Sequence, residues 1–393
     1  MPSALLSIDE ARARVLAAVT PLEAQDVALA EALGRVLAED MTAAHDVPGF
    51  ANSAMDGFAV RSGPAGRRLA VVGESRAGAP AELAVGDGQA VRISTGAALP
   101  DGADAVLQLE LVTDDGGDVT LHEETAPGRN VRHPGEDLRS GSVVLRAGER
   151  LGAAAVGVAA AAGRASVRCA RQPAVGVLAT GDELVEPGAP LAPGQLHDSN
   201  GLTLAALVAR TGCDVVHRAR VPDDAEGTRA ALERALAAAD VLVISGGVSV
   251  GPHDHVKGAL GALGVDEVFW RVALRPGKPT WFGTRGRTLV FGLPGNPVSA
   301  MVTFLLFARP ALAALQGAVG GRERERAVLA EAVPRSPERD ECARVRVRDG
   351  RAELTGPQGS HQLTSMLAAD ALAIVPRGEG DMPAGSDVEL ERI

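Results

Sequence analysis

Tyrosine is absent, and aromatic residues make up only 2 % of the chain. A single-strand nucleic-acid binder stacks bases on aromatic platforms, and those are too scarce here. The same scarcity predicts cores built from Ala, Val and Leu. Cysteine is nearly absent too: Cys169, Cys213 and Cys342 lie far apart with no C-x-x-C. A disulfide framework and a cysteine zinc site are thereby excluded, and a reducing cytoplasm is expected. Basic blocks are lacking and the net charge is −11, which argues against a general binder of nucleic acid or of anionic membranes. Met1 to Thr20 is charged and amphipathic, without the apolar centre of a signal peptide. The apolar run Leu151 to Ala162 falls short of the roughly 20 residues that cross a bilayer. Several reaction signatures are missing as well: no Walker A, no G-x-G-x-x-G, no G-x-S-x-G and no H-E-x-x-H. The last absence sets aside a transition-metal reading of His253-Asp254-His255.

What is present centres on Val175 to Gln316. Three apolar runs, Val175–Ala179, Val241–Ile244 and Thr288–Phe291, each break into a Gly-rich segment. The breaks are Thr180-Gly181-Asp182-Glu183, Ser245-Gly246-Gly247-Val248-Ser249 and Gly292-Leu293-Pro294-Gly295-Asn296-Pro297. Aliphatic runs alternating with helices predict βαβ units and a mostly parallel sheet. Ligands of such sheets sit beyond the carboxyl ends of the strands, where all three breaks fall. Helices are expected over 201–210 (capped by Asp198 or Ser199), 225–239, 254–263 and 298–316, and strands over 214–221 and 268–272. Glu183, Asp223 and Asp254 follow strand ends. Beside Lys278 and the Gly-rich turns they suit a phosphate ligand bridged by a hard cation such as Mg²⁺. Taken singly, Asp223 and Asp254 read as helix caps and Glu183 as a surface loop residue; the three together favour a site.

At 393 residues, more than one core is needed. Ser7-Ile8-Asp9-Glu10 predicts a capping box opening a helix over 8–19. Residues 27–37 read as a short strand plus a helical turn, with the type open. Leu69 to Gln108 predicts a small all-β unit. Leu151 to Ala162 reads as a helix, and Val167 to Pro173 as a connector. The alternation at Arg344–Arg348 with the Asp349-Gly350 turn predicts a hairpin in a last, β-rich unit set off by Arg322–Arg326. Asp56-Gly57 and Thr95-Gly96 read locally as turns, and Arg132 as loop surface.

In matching order along nearly the whole chain, Asn52-Ser53-Ala54-Met55-Asp56-Gly57, Thr95-Gly96, Gly135-Glu136-Asp137, Thr180–Leu184, Ser245–Gly251 and Gly292–Ala300 resemble the molybdopterin molybdenumtransferase (MoeA) family, relatives of the E domains of gephyrin and of the plant molybdenum-insertion protein. The resemblance implies a multidomain α/β and β chain. An elongated helical domain (1–46 with 139–172) would carry a small β domain (47–138), a central α/β molybdopterin-binding domain (173–320) and a C-terminal β barrel (321–393). It implies Mg²⁺-dependent insertion of molybdate into adenylylated molybdopterin with release of AMP. It also implies a homodimer whose site lies between the α/β domain of one subunit and the β domain of the other. Transient contact with the molybdopterin adenylyltransferase and downstream cofactor-handling proteins would follow, with no nucleic acid and no membrane.

Carried over residue by residue, Asp56 and Thr95 would reach across the dimer. Glu183, Asp223 and Asp254 would act in catalysis, with Glu183 and Asp254 at the metal. Gly246, Gly247, Ser249, Arg275, Lys278, Pro294, Gly295, Asn296 and Pro297 would bind substrate, with Arg132 and Asp137 supporting them. Arg339 and Ser360 would be the barrel's contribution to molybdate. Two departures stand out: Arg275 occupies a position where the family often has Lys, and Pro222-Asp223 replaces a frequent Arg-Asp. Two alternatives share parts of this pattern. An adenylyltransferase would bind ATP and molybdopterin with Val175–Gln316 alone, and a non-catalytic scaffold would bind peptides without turnover.

Overall fold

The computed structural model describes residues 5–248, 255–318 and 325–393. At its centre stands a six-stranded sheet of β1 (Ala174–Thr180), β2 (Asp214–Val221), β3 (Val241–Ser245), β4 (Asp266–Trp270), β5 (Trp281–Arg285) and β6 (Thr288–Leu293), in the order β2-β1-β3-β6-β5-β4. β1 pairs in parallel with β2 and β3, and β3 with β6. β5 returns antiparallel to β6, and β4 antiparallel to β5. The sheet is therefore mostly parallel, as expected. Strand periodicity explains why both faces are apolar. Val241 and Val243 of β3 enter one core, while Leu242 and Ile244 enter the other; β6 does the same with Leu289 and Phe291 against Val290.

Helices α1 (Ser199–Arg210) and α2 (Ala225–Ala238) start at aspartate caps: Asp198 accepts from the Gly201 N–H and Asp224 from the Gly227 N–H. A third helix, α3, spans Val256–Ala262. The run expected as one helix from 298 is α-helical over Pro297–Thr303, widens into a π turn over Phe304–Ala308 and resumes over Arg309–Leu315. Pro310 has no N–H to give the preceding turn, and the wider turn accommodates that gap. By length and hydropathy Pro297–Leu315 passes for a membrane span, but 72 % of its apolar window is buried in the protein. The scarce aromatics are concentrated here: Phe269, Phe282, Phe291, Phe304 and Phe307 share the largest core, with ring centroids as close as 4.9 Å. Val, Leu and Ala still make up most of this core, as expected, with the phenylalanines set among them.

The first helix, Ile8–Ala17, carries the expected capping box between Ser7 and Glu10. Its buried face, Ile8, Ala11 and Val15, packs into the α/β core rather than into a separate helical unit. The remainder of that unit is less helical than expected. Ala24–Ala28 pairs antiparallel with Ser166–Ala170, so the segment read as a connector is a strand. Only Ala153–Ala161 is α-helical there, and both elements close over a core with Leu37, Met41 and Leu151.

The β unit is a six-stranded sheet ordered Ala105–Gln108, Gly57–Val60, Gln89–Ile93, Arg68–Ser75, Asp118–Leu121, Val112–Asp114. In the C-terminal unit Asp340–Arg348 pairs with Arg351–Leu354 and also with Ala371–Val375, which closes a barrel through Asp387–Arg392 and Glu325–Leu329. Asp349 and Gly350, at φ 48 and 73, make the expected hairpin turn. Leu274–Arg275 adds in parallel to Asp340–Glu341 and so ties the α/β unit to the barrel.

Candidate functional site

The carboxyl ends of β1, β3 and β6 open into one cavity of about 630 Å³. Glu183 and Leu184 from the first break line it, with Gly246–Val248 from the second and Pro294–Pro297 from the third. The start of α1, Pro279 and the barrel's His361 complete the wall. Close backbone approach is what the glycines allow. Gly246 and Gly247 sit at φ 90 and 67, and a Cβ would meet Thr180 Oγ1 at 2.5 Å or Val256 Cγ2 at 2.4 Å.

Hydrogen bonds lock the three breaks to one another. Asn200 Nδ2 donates to Ser245 Oγ at 2.8 Å and to the Gly295 carbonyl at 2.7 Å, joining α1 to the loops after β3 and β6. Ser245 Oγ in turn donates to the Pro294 carbonyl at 3.3 Å. At the neighbouring edge Asp182 and Asp223 clasp each other: the Asp223 carboxylate accepts the Asp182 N–H at 3.3 Å, and the Asp182 carboxylate accepts the Asp223 N–H at 3.1 Å. The helix cap is Asp224, so capping does not account for Asp223. Glu183 is exposed at the cavity mouth. Ser249 and Asp254 lie outside the described residues. Among the described residues no group of three or more His, Cys, Asp or Glu is gathered tightly enough to cage a metal ion. All three cysteines are buried, and burial raises the Cys169 thiol and takes Cys213 up to about 11.

From the barrel, Ser360 reaches the site directly. Its hydroxyl accepts from Asn296 Nδ2 at 3.1 Å, and its carbonyl accepts the Val298 N–H at 3.1 Å. Arg339 does not line the cavity. Arg344 stands behind the Ser360 loop instead. It is fully buried, donates to Ser365 Oγ and to the Pro357 and Gly359 carbonyls, and leaves Nη1 with no partner. Arg275 pairs with Glu341 at 3.4 Å across the seam between the two units. Burial raises Glu341 above the usual carboxylate range, and Arg275, Arg344 and Arg339 pull it partly back. Lys278 lies one residue before the lining Pro279, its carbonyl accepting from the Val272 N–H.

Asp56 and Thr95 also come together, but in the β unit. Asp56 Oδ1 accepts the Thr95 N–H at 2.7 Å and the Thr95 hydroxyl at 3.2 Å. Arg132 pairs across the Asn52–Ser53 strand that leads into this loop, and Asp137 hangs its backbone N–H on the Val47 carbonyl. None of Asp56, Thr95, Arg132 and Asp137 lines the cavity at the sheet edge. Within one chain the expected residues thus form two groups. Asn200 and Arg344 were not foreseen: Asn200 is an ordinary helix-start residue in sequence, and Arg344 one of several alternating arginines.

The whole chain, with both groups, has relatives. A curated molybdopterin molybdenumtransferase of Haemophilus influenzae is 37 % identical over 401 residues, covering 98 % of each chain. The chain belongs to the molybdopterin molybdenumtransferase family. Bacillus subtilis has a member 36 % identical over 98 % of this chain and 93 % of its own. The crystal structure of a molybdopterin biosynthesis moeA protein from Pyrococcus horikoshii OT3 superposes with a TM-score of 0.83 at 30 % identity, covering 99 % of this chain and 100 % of that one. Three family descriptions match in succession: "MoeA N-terminal region (domain I and II)" over 6–163, "Probable molybdopterin binding domain" over 176–314, and "MoeA C-terminal region (domain IV)" over 326–393. The cavity lies within the second span and borrows His361 from the third, with Ser360 hydrogen-bonded to the lining Asn296.

Proposed function

We propose that this chain inserts molybdate into adenylylated molybdopterin and releases AMP, as one enzyme of molybdenum cofactor biosynthesis. The observation that carries the reading is a Gly-rich cavity at the carboxyl edge of the sheet, in a chain related over its full length to molybdopterin molybdenumtransferases. Cutting a phosphoanhydride places charge on non-bridging oxygens, and fixed cations and backbone N–H groups stabilise it. Lys278 and Arg275 supply the cations, and the Gly246–Gly247 turn supplies the backbone approach. Pro294, Gly295, Asn296 and Pro297 shape the wall, with Ser360 braced against Asn296. For the barrel's anion contact Arg344 is a better candidate than Arg339, because its buried Nη1 lacks a partner behind the Ser360 loop.

The donor set suits Mg²⁺. That ion retains several waters and takes one or two carboxylates together with substrate phosphates, so a full protein cage is not needed. Glu183, with Asp254, would hold it, and it would neutralise phosphate charge. Asp223 positions the end of β1 through Asp182.

The second group belongs in the reading through a homodimer. Asp56 and Thr95 of one subunit complete the cavity of the other, with Arg132 and Asp137 supporting that loop. Phe50 and Met55, 53 % and 38 % exposed beside Asp56, give the loop an apolar collar suited to burial against a second copy. The substrate arrives from the molybdopterin adenylyltransferase and the product leaves to cofactor-handling proteins, through transient contacts. A cytoplasmic setting fits the buried Cys169 and Cys213 thiols.

The test is AMP release from the full-length protein given adenylylated molybdopterin and Mg²⁺, with and without molybdate. Release that depends on molybdate is expected. Nucleotide binding with no release in either condition would refute the insertase reading and favour the scaffold.

A further inference from the structure

Trp270 ends β4 at the same sheet edge as the cavity. Two cations lie over its ring: Lys257 Nζ is 3.5 Å from the ring centroid and the Arg271 guanidinium carbon 3.9 Å. Residues adjacent in a strand normally point apart. Arg271 sits at φ 76, in the left-handed region, which breaks that alternation and lays its guanidinium back over its neighbour. The indole N–H donates to the Val248 carbonyl at 3.1 Å, and Val248 lines the cavity. The Arg271 N–H donates to the Thr280 carbonyl at 2.9 Å, beside the lining Pro279. The stack is thus fastened to two walls of the cavity.

Among the described residues no carboxylate lies within ion-pair distance of Lys257 or Arg271. Glu267, on the same strand, is already engaged by the Trp281 N–H at 2.6 Å. A guanidinium held over a ring by its charge still has five N–H donors, and their fork matches phosphate oxygens. Two like charges held against one ring repel each other, and an anion bound between their edges relieves that repulsion.

We propose that Lys257 and Arg271, stacked on Trp270, form a phosphate-binding clamp beside the cavity. This rests on the insertase reading for the identity of the ligand: a phosphate group, from the nucleotide half or the pterin half of the substrate. Trp270 is a positioning residue that sets the spacing of the two cations. It would do so with either half bound.

The experiment titrates AMP, adenosine and molybdopterin separately into the full-length protein and into Arg271→Gln, Lys257→Gln and Trp270→Phe. Turnover of the wild type is measured in parallel, so that failure of the insertase reading shows there and not in the titrations. Each Gln variant should bind the phosphorylated ligand about tenfold more weakly, the loss expected for a charge-assisted hydrogen bond. KM should rise more than kcat falls, and adenosine affinity should not change. A deficit confined to AMP assigns the nucleotide's phosphate to the clamp, and one confined to molybdopterin assigns the pterin's. Trp270→Phe keeps a ring and should lose less than either Gln variant, and Arg271→Lys should restore part of the affinity. Wild-type affinity for both AMP and molybdopterin in the two Gln variants would overturn the proposal. So would an equal loss of adenosine binding, which would mean a distorted cavity.

Discussion

The sheet-edge cavity and the Asp56–Thr95 loop carry comparable polar chemistry in opposite shapes. The cavity is concave and pre-built. Three strand ends, a helix start and a barrel loop close around it, and Asn200, Ser245 and Ser360 bond them together. The Asp56–Thr95 pair is ordered by two hydrogen bonds but stands exposed, as Phe50 and Met55 do, and lines no part of the sheet-edge cavity. In the proposed homodimer such a division is resolved by symmetry, since a two-fold axis would offer each cavity the other subunit's loop. The difference teaches where mutations should act: changes in the packed turns of the cavity disturb folding and chemistry together, whereas changes to exposed side chains on either surface disturb chemistry alone.

The sharpest way to break the comparison is to mutate both sides. Asp56→Ala and Glu183→Ala should each lower kcat about a hundredfold or more, the scale of losing a preorganised charged group at a reacting centre. Both side chains are exposed, so melting temperatures should hold. Full activity in Asp56→Ala would detach the β unit from the site. Next comes Gly247→Val. Added bulk at positive φ against Val256 should cost about 2 kcal/mol or more in denaturant unfolding, and a variant as stable as wild type would contradict the tight turn. A foil at the opposite end of the sheet is Arg171, whose fork grips Asp240 with two 2.8 Å bonds. Arg171→Ala should cost about 1.5 kcal/mol without changing KM. Burial pushes Asp240 up, but Arg171 and the Ala174 N–H leave it lowered overall. A lowered folded value means that the stabilisation is complete above the unfolded value of about 3.9 and disappears as pH falls through the folded one. Acid titration of stability should therefore be flatter in Arg171→Ala below about pH 4. The smallest effect belongs to Ser360→Ala, which removes one neutral hydrogen bond to Asn296 and should raise the KM for molybdate about fivefold.

Much of this was legible from local pattern. The β-branched runs ending in glycine located β1, β3 and β6 and their loops, because strand periodicity and glycine conformation are local properties. Asp198 and the Ser7–Glu10 box were readable for the same reason. What failed was non-local. Val167 to Pro173 reads as a connector in sequence, yet Ser166–Ala170 is a strand, because its partner lies far away at Ala24–Ala28 and nothing nearby reports that pairing. The first helix is expected within the helical unit of 1–46 with 139–172, yet its apolar face belongs to a core made largely by residues from Val175 onward. Asn200 and Arg344 carry no motif of their own, and they matter through what tertiary structure sets beside them. Asp56 and Thr95, which the family resemblance sends across a dimer, hydrogen-bond to each other within one chain.

The central claim is that each site is shared between two chains, and a mixing experiment tests it. Asp56→Ala and Glu183→Ala proteins, each inactive alone, are unfolded and refolded together, and molybdate-dependent AMP release is measured. A shared site predicts recovery to about a quarter of wild-type turnover, because random pairing makes half the dimers mixed and each mixed dimer keeps one intact site. A site contained within a single chain predicts no recovery at any mixing ratio, and that result would contradict the account.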